Sequence, residues 1–159
     1  MKQLLDAYLL AKPSMRGYLE WGILCASGAA GLIFGALRLP LSPYLNIAGG
    51  LLILGGFVFH VRVGSGHKEA HKRSEEITRI VDRGMYARIR HPLYLSVIVI
   101  DLGIALTFGV VWTLAVAGLF SVLALLTCIR EEQFLMERFP GPYSEYRARV
   151  RWRLIPGLF

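Results

Sequence analysis

Two stretches of the chain concentrate side chains able to grip a charged small molecule. The first, Arg90-His91-Pro92-Leu93-Tyr94, opens a long apolar run. Proline suits that place, because at the first turn of a helix its missing N–H leaves nothing unpaired and its fixed φ fits helix entry. His91, Tyr94, Ile98 and Asp101 are spaced 3, 4 and 3 residues apart, which stacks them on one helical face. They form a polar strip descending into apolar surroundings, where ionisable groups are costly and face a cavity or a partner. A plainer alternative is an Asp101 hydrogen-bonded to a neighbouring helix and an interfacial Tyr94. The second stretch, Cys128-Ile129-Arg130-Glu131-Glu132, closes the next apolar run. Paired carboxylates at the negative end of a helix dipole need a cation or donors to compensate them. If the two runs fold back on each other, Arg90, His91, Tyr94, Glu131 and Glu132 converge on one mouth, a setting suited to a zwitterion.

The rest of the chain must position these groups, and its composition says how. Of 159 residues, 55% are hydrophobic and only 18% charged, and 18 Lys and Arg against 11 Asp and Glu give a net charge of +7. A soluble globule of this size carries charge on about a quarter of its residues, and a basic disordered arm would lack the long apolar runs. Both are excluded, leaving a small integral membrane protein of one domain. Four runs qualify as spans of about 20 residues: Gly17 to Leu39, Tyr44 to Val63, Pro92 to Thr107 and Val110 to Ile129, with Phe108-Gly109 as the turn of a hairpin. The third is short, so this pair only just crosses. Gly31 and Gly35 form a GxxxG pair suited to close helix approach. The expected fold is therefore all-α, with about four transmembrane helices, a C-terminal helical hairpin, an amphipathic cytoplasmic tail and no Rossmann domain. Seventeen of the 18 basic residues fall on one side of this arrangement, so both termini and the 62–91 loop are expected in the cytoplasm. Anionic headgroups, not nucleic acid, then account for the charge.

Other motifs carry less. His67 and His71 stand four apart and could share a metal on a helix, but Glu69 is misplaced for a zinc-protease pattern; a solvated cytoplasmic helix explains them, and no metal site is expected. Cys25 and Cys128 lie within apolar runs and read as small packing residues. Residues 1–16 suit an interfacial helix. Tyr143, Tyr146, Arg147 and Arg149 form either an amphipathic tail on the headgroups or a lid supplying an aromatic ring and a guanidinium.

Gly84-x-Tyr86-x3-Arg90-His91-Pro92-x-Tyr94, a hairpin, then Glu131-Glu132-x2-Leu135-x3-Phe139-x3-Tyr143-x2-Tyr146-x3-Val150 with Pro156 beyond, closely resembles the isoprenylcysteine carboxyl methyltransferase family, itself related to the phospholipid N-methyltransferases. The likeness covers residues 80–159; residues 1–79 (the N-terminal helix, two spans and part of the loop) resemble the family only in being membrane spans. It implies a membrane methyltransferase dependent on S-adenosylmethionine. Arg90, His91, Tyr94, Glu131 and Glu132 would form the cofactor pocket, with Glu131 or Glu132 receiving the cofactor's ammonium. Glu132 and Arg149 would act at the acceptor. Ser96 and Pro140 depart from the family's glycines.

Methyl transfer from a sulfonium destroys a positive charge in an in-line displacement, so it demands alignment and exclusion of water more than strong acids or bases. A polar cofactor would enter from the cytosol and a lipophilic carboxylate or amine from the bilayer, meeting at the hairpin's mouth. Two alternatives stand beside this reading. A sterol-reductase-like, NADPH-dependent membrane reductase shares an RHPxY-like stretch but normally has more spans. A small transporter would use Glu20 and Asp101 and leave the paired glutamates without a role.

Overall fold

The apolar runs become five α-helices in a computed structural model that describes residue 8, residues 13–65 and residues 76–158. They are α1 (Pro13–Ile33), α2 (Tyr44–Ser65), α3 (Pro92–Phe108), α4 (Val111–Arg138) and α5 (Pro140–Arg149), with a 3₁₀ turn at Gly84–Ala87. Among the described residues there is no β-strand, only two isolated bridges. His67 and His71, and all but a few residues of the interfacial helix expected over residues 1–16, lie outside the described residues.

Two helices, α2 and α4, are long and apolar enough to cross a membrane, and α3 is apolar but shorter, at 17 residues. At 1.5 Å per residue α3 reaches about 26 Å, against roughly 30 Å of hydrocarbon. Helix α4 does the opposite. Its 28 residues extend about 42 Å, well past the expected end at Ile129. The polar residues Arg130 to Gln133 include no helix breaker, so the helix runs on to Arg138 and stops only where Pro140 starts α5.

Helix α3 is the hub, packing against α1, α2 and α4. Its closest partner is α2, and glycine is the reason: a Cβ on Gly49 would fall 2.6 Å from the Gly103 carbonyl, and one on Gly103 would fall 2.9 Å from the Gly49 carbonyl. Without a hydrophobic drive between helices in lipid, such backbone proximity is what packing relies on. The apolar core, formed by Leu24, Ile100, Ile104, Ala105, Ala117 and Phe120, joins α1, α3 and α4.

The expected hairpin is present. Gly109 adopts φ 64° as the residue capping α3, and α4 begins two residues later. The chain following α1 closes on this turn, with Leu39 N–H donating to Gly109 O at 2.7 Å and Val111 N–H to Leu37 O at 3.0 Å. The end of α1 departs from expectation. The helix stops at Ile33, and Gly35 lies beyond it at φ 66°, turning the chain rather than packing. Gly28 and Gly31 make the close approach instead, against Phe108 and Val110.

Gly103→Val should therefore push α2 off α3 and cost about 1–3 kcal/mol or more, read as a lowered thermal midpoint in detergent. Gly118→Ala, where an added Cβ meets nothing within 4 Å, should leave the midpoint unchanged or raise it.

Candidate functional site

One carboxylate organises the mouth of the hairpin. Glu132, in α4, accepts from Arg90 Nε at 2.8 Å, while His91 Nε2 stands 3.2 Å from the same oxygen. Arg153 Nε, from the C-terminal tail, reaches both carboxylate oxygens at 3.1 Å. Glu132, Arg90 and His91 are all buried. The tail is held there by backbone as well: Arg90 N–H donates to Trp152 O at 2.9 Å and His91 N–H to Arg153 O at 2.8 Å. Arg90 Nη1 donates to the carbonyls of Val150 and Arg151, both at 2.8 Å. The pair thus spends Nε and Nη1 of Arg90 and Nε2 of His91 on structure.

Glu131, one residue earlier on α4, differs. Its Oε2 is buried and has no hydrogen-bond partner, with His91 Nδ1 3.9 Å away. That oxygen adjoins a pocket lined from five parts of the chain. A strap of irregular backbone contributes Ile77, Arg79, Ile80 and Val81; the motif before α3 contributes Tyr86, Arg90 and His91; α3 adds Leu93 and Tyr94, α4 adds Glu131 and Leu135, and α5 adds Tyr143 and Tyr146. His91 and Tyr94 lie with ring centroids 5.8 Å apart. The Tyr143 hydroxyl is the pocket's second buried polar atom without a partner, whereas Tyr146 donates to Tyr86 O at 2.8 Å.

Burial alone would push the His91 imidazole toward neutrality, but the Cys128 sulfur, then Glu132 and Glu131, outweigh it and raise its pKa to about 10. Tyr143 is pushed far above the usual phenol range by burial and then by Glu132. It stays a neutral donor at every physiological pH.

The hairpin thus brings Arg90, His91, Tyr94, Glu131 and Glu132 together. Glu132 sits behind the pocket rather than on its wall. Arg149 lies outside the pocket, two-thirds exposed, with Nη2 donating to Asp82 at 2.9 Å on an adjoining open cleft. Its orientation follows from helical geometry: Tyr143, Tyr146 and Val150 share the inward face of α5 and the turn after it, and Arg149 is rotated about 100° from Val150. Asp101, expected on the strip below Tyr94, is fully buried near Glu20 and Arg16 instead of facing the pocket. Three contributors escape sequence reasoning. Arg153 and the 77–81 strap arrive from far along the chain with no local periodicity to announce them. Arg16 of α1 is buried, pairs with Glu20 at 3.3 Å, bonds Thr127 on α4 and lies 5.8 Å from the Tyr94 ring centroid; only its charge inside an apolar run marks it.

These features define a membrane protein with a polar small-molecule pocket at the open end of a helical hairpin. The family model for phospholipid methyltransferase matches residues 45–141, well over half of the sequence. The chain belongs to that family and is a membrane methyltransferase, as the relation drawn from its motifs implied. The match spans α2, α3 and α4 and stops at the start of α5. No curated protein shows a significant match to the chain.

Removing one partner of a buried ion pair leaves the other charge uncompensated. Glu132→Ala should therefore cost about 3–5 kcal/mol, whereas Asp82→Asn, at an exposed pair, should cost at most about 1 kcal/mol, both read from denaturation in micelles. The raised His91 pKa also fixes a sign. The proton on His91 stabilises the fold fully below its unfolded pKa of about 6.5, and that stabilisation is lost as pH rises through about 10. The stability difference between wild type and His91→Gln should shrink across that window; a difference that grows toward pH 10 would contradict the assignment.

Proposed function

We propose that this methyltransferase draws its methyl group from S-adenosylmethionine held in the pocket and transfers it to a lipophilic carboxylate or amine arriving from the bilayer. The observation that carries the reading is Glu131 Oε2, a buried carboxylate oxygen without a partner at the pocket wall. A buried carboxylate oxygen without a hydrogen bond is costly, and with His91 Nδ1 no nearer than 3.9 Å an ammonium group is the natural complement. Glu132 is already committed to Arg90, His91 and Arg153, so the ammonium falls to Glu131. Glu132 then acts as a positioning residue that fixes Arg90 and His91.

Bound there, the cofactor supplies an electrophilic methyl on a sulfonium. The chain's contribution is orientation and dryness. Tyr94, Tyr143, Tyr146, Ile77, Leu93 and Leu135 line the pocket and exclude water that would otherwise compete for the methyl group. For an acidic acceptor, Arg149 stands at the rim and would exchange Asp82 for the acceptor's carboxylate. For an amine, a neighbouring carboxylate takes the proton released on methylation.

A lateral cleft gives the acceptor a route. Helices α1 and α2 both pack on α3 but scarcely on each other, and the gap between them is lined by Tyr18, Trp21, Phe57 and His60 over Val97. Val97 is less than one turn of α3 from Tyr94. We read α1 and α3 as completing four spans with α2 and α4, with the site, both termini and the 62–91 loop on the cytoplasmic side. Pairing of residues 37–39 with the Gly109 turn supports this, because it puts the short connections at one end and nearly all the basic residues at the other.

Calorimetric titration of the purified protein with S-adenosylhomocysteine tests the donor assignment. Wild type should bind, and Glu131→Gln should bind about 10-fold more weakly. A wild type that does not bind would remove the proposal. A labelled-methyl assay over extracted lipids, fractionated into acids and amines, then identifies the acceptor class.

A further inference from the structure

The donor's amino-acid end carries a carboxylate as well as an ammonium, and taking a carboxylate out of water requires a cation or strong donors of its own. The motif cations are largely committed to the protein's own acids and carbonyls. Arg90 gives Nε to Glu132 and Nη1 to two backbone carbonyls, and His91 faces Glu132 through Nε2 and Glu131 through Nδ1. Arg153 is bound to both oxygens of Glu132, and Arg149 lies outside on the Asp82 pair. Beside Nη2 of Arg90, one wholly uncommitted guanidinium lines the pocket. Arg79, on the 77–81 strap, lines both the pocket and the adjoining open cleft, and makes no hydrogen bond or ion pair among the described residues.

A second observation points to the same place from the opposite wall. The Tyr143 side chain is 1% exposed, and its hydroxyl is buried with no partner. Tyr143 lies close enough to Glu131 and Glu132 to feel their charge, and it shares the pocket lining with Glu131 and Arg79. A buried hydroxyl left unpaired is as costly as a buried carbonyl left unpaired. An acceptor between Tyr143 and Arg79 satisfies both.

We propose that Arg79 and Tyr143 hold the carboxylate of the methyl donor's amino-acid end, while Glu131 holds its ammonium. The inference rests on the donor reading above, adds Arg79 from outside the motifs and gives the motif's Tyr143 a role. The guanidinium comes from the strap before α3 rather than from the tail, and α5 supplies a hydroxyl rather than a charge. Arg79 also faces the open cleft, so it meets the carboxylate first and draws it inward.

Titration of the full chain in detergent with two ligands tests this. S-adenosylhomocysteine carries the amino-acid end; 5′-methylthioadenosine keeps the nucleoside and thioether and lacks that end. Arg79→Gln and Tyr143→Phe should each weaken S-adenosylhomocysteine about 10-fold and leave methylthioadenosine within about 2-fold. The double variant should bind the two ligands alike. Arg79 is exposed, so its replacement leaves the fold intact even if loss of the buried hydroxyl at 143 disturbs packing. Variants that bind S-adenosylhomocysteine as tightly as wild type, or that lose both ligands equally, would overturn the assignment. A wild type that binds neither ligand would remove the donor reading and this inference with it, an outcome distinct from variants that merely fail to discriminate.

Discussion

A single carboxylate holds three parts of the chain together. Glu132 takes Arg90 and His91 from the segment entering α3 and Arg153 from the tail after α5, while it projects itself from α4. Removing an ion from water costs several kcal/mol even after relaxation, and one negative charge cannot be stabilised by geometry that is loose. The backbone pairing of residues 90–91 with 152–153 supplies that rigidity. With Glu132 fixed in place, the neighbouring glutamate stands on the pocket wall with one buried oxygen lacking a hydrogen bond and His91 Nδ1 3.9 Å away. Two adjacent acids thus differ. One neutralises the protein's own cations, and the other is the acid proposed to receive a cation from outside.

Much of this was legible in the sequence because it is local. Proline after Arg90-His91 marks a helix start, Phe108-Gly109 marks a turn between two apolar runs, and Glu131-Glu132 follows at the end of the second run. Folding that hairpin forces the two motifs to one end whatever else the chain does. Contributors that depend on distant segments were not legible. Arg153 lies beyond any periodic element, and the 77–81 strap has no regular backbone to give it a pattern. Arg149, expected at the acceptor, stands outside the pocket on the adjoining cleft because of the helical rotation between positions 149 and 150. That rotation could have been read from the apolar spacing of Tyr143, Tyr146 and Val150.

The membrane-facing half obeys a different constraint. In lipid, helices gain little from hiding apolar side chains from one another, so contact depends on how closely backbones approach. Gly49 against Gly103 sets that distance for α2 and α3, and Gly28 and Gly31 set it for α1 at the hairpin turn. The departure from the family pattern at Ser96 finds its use here: its hydroxyl stands 2.8 Å from His60 Nδ1, tying α2 to α3 one helical turn from the pocket. Sequence identified the glycine-rich runs but not which glycines touch, because the one GxxxG pair is Gly31 and Gly35 and the end of α1 removes Gly35 from the contact.

The tail pairing bears on biogenesis. Residues 152 and 153 are needed to clamp the start of α3, and they leave the ribosome after α1 to α5 have been made. A chain arrested just past α5 would insert with its helices complete, yet would carry a bare acid at 132 and an unclamped Arg90.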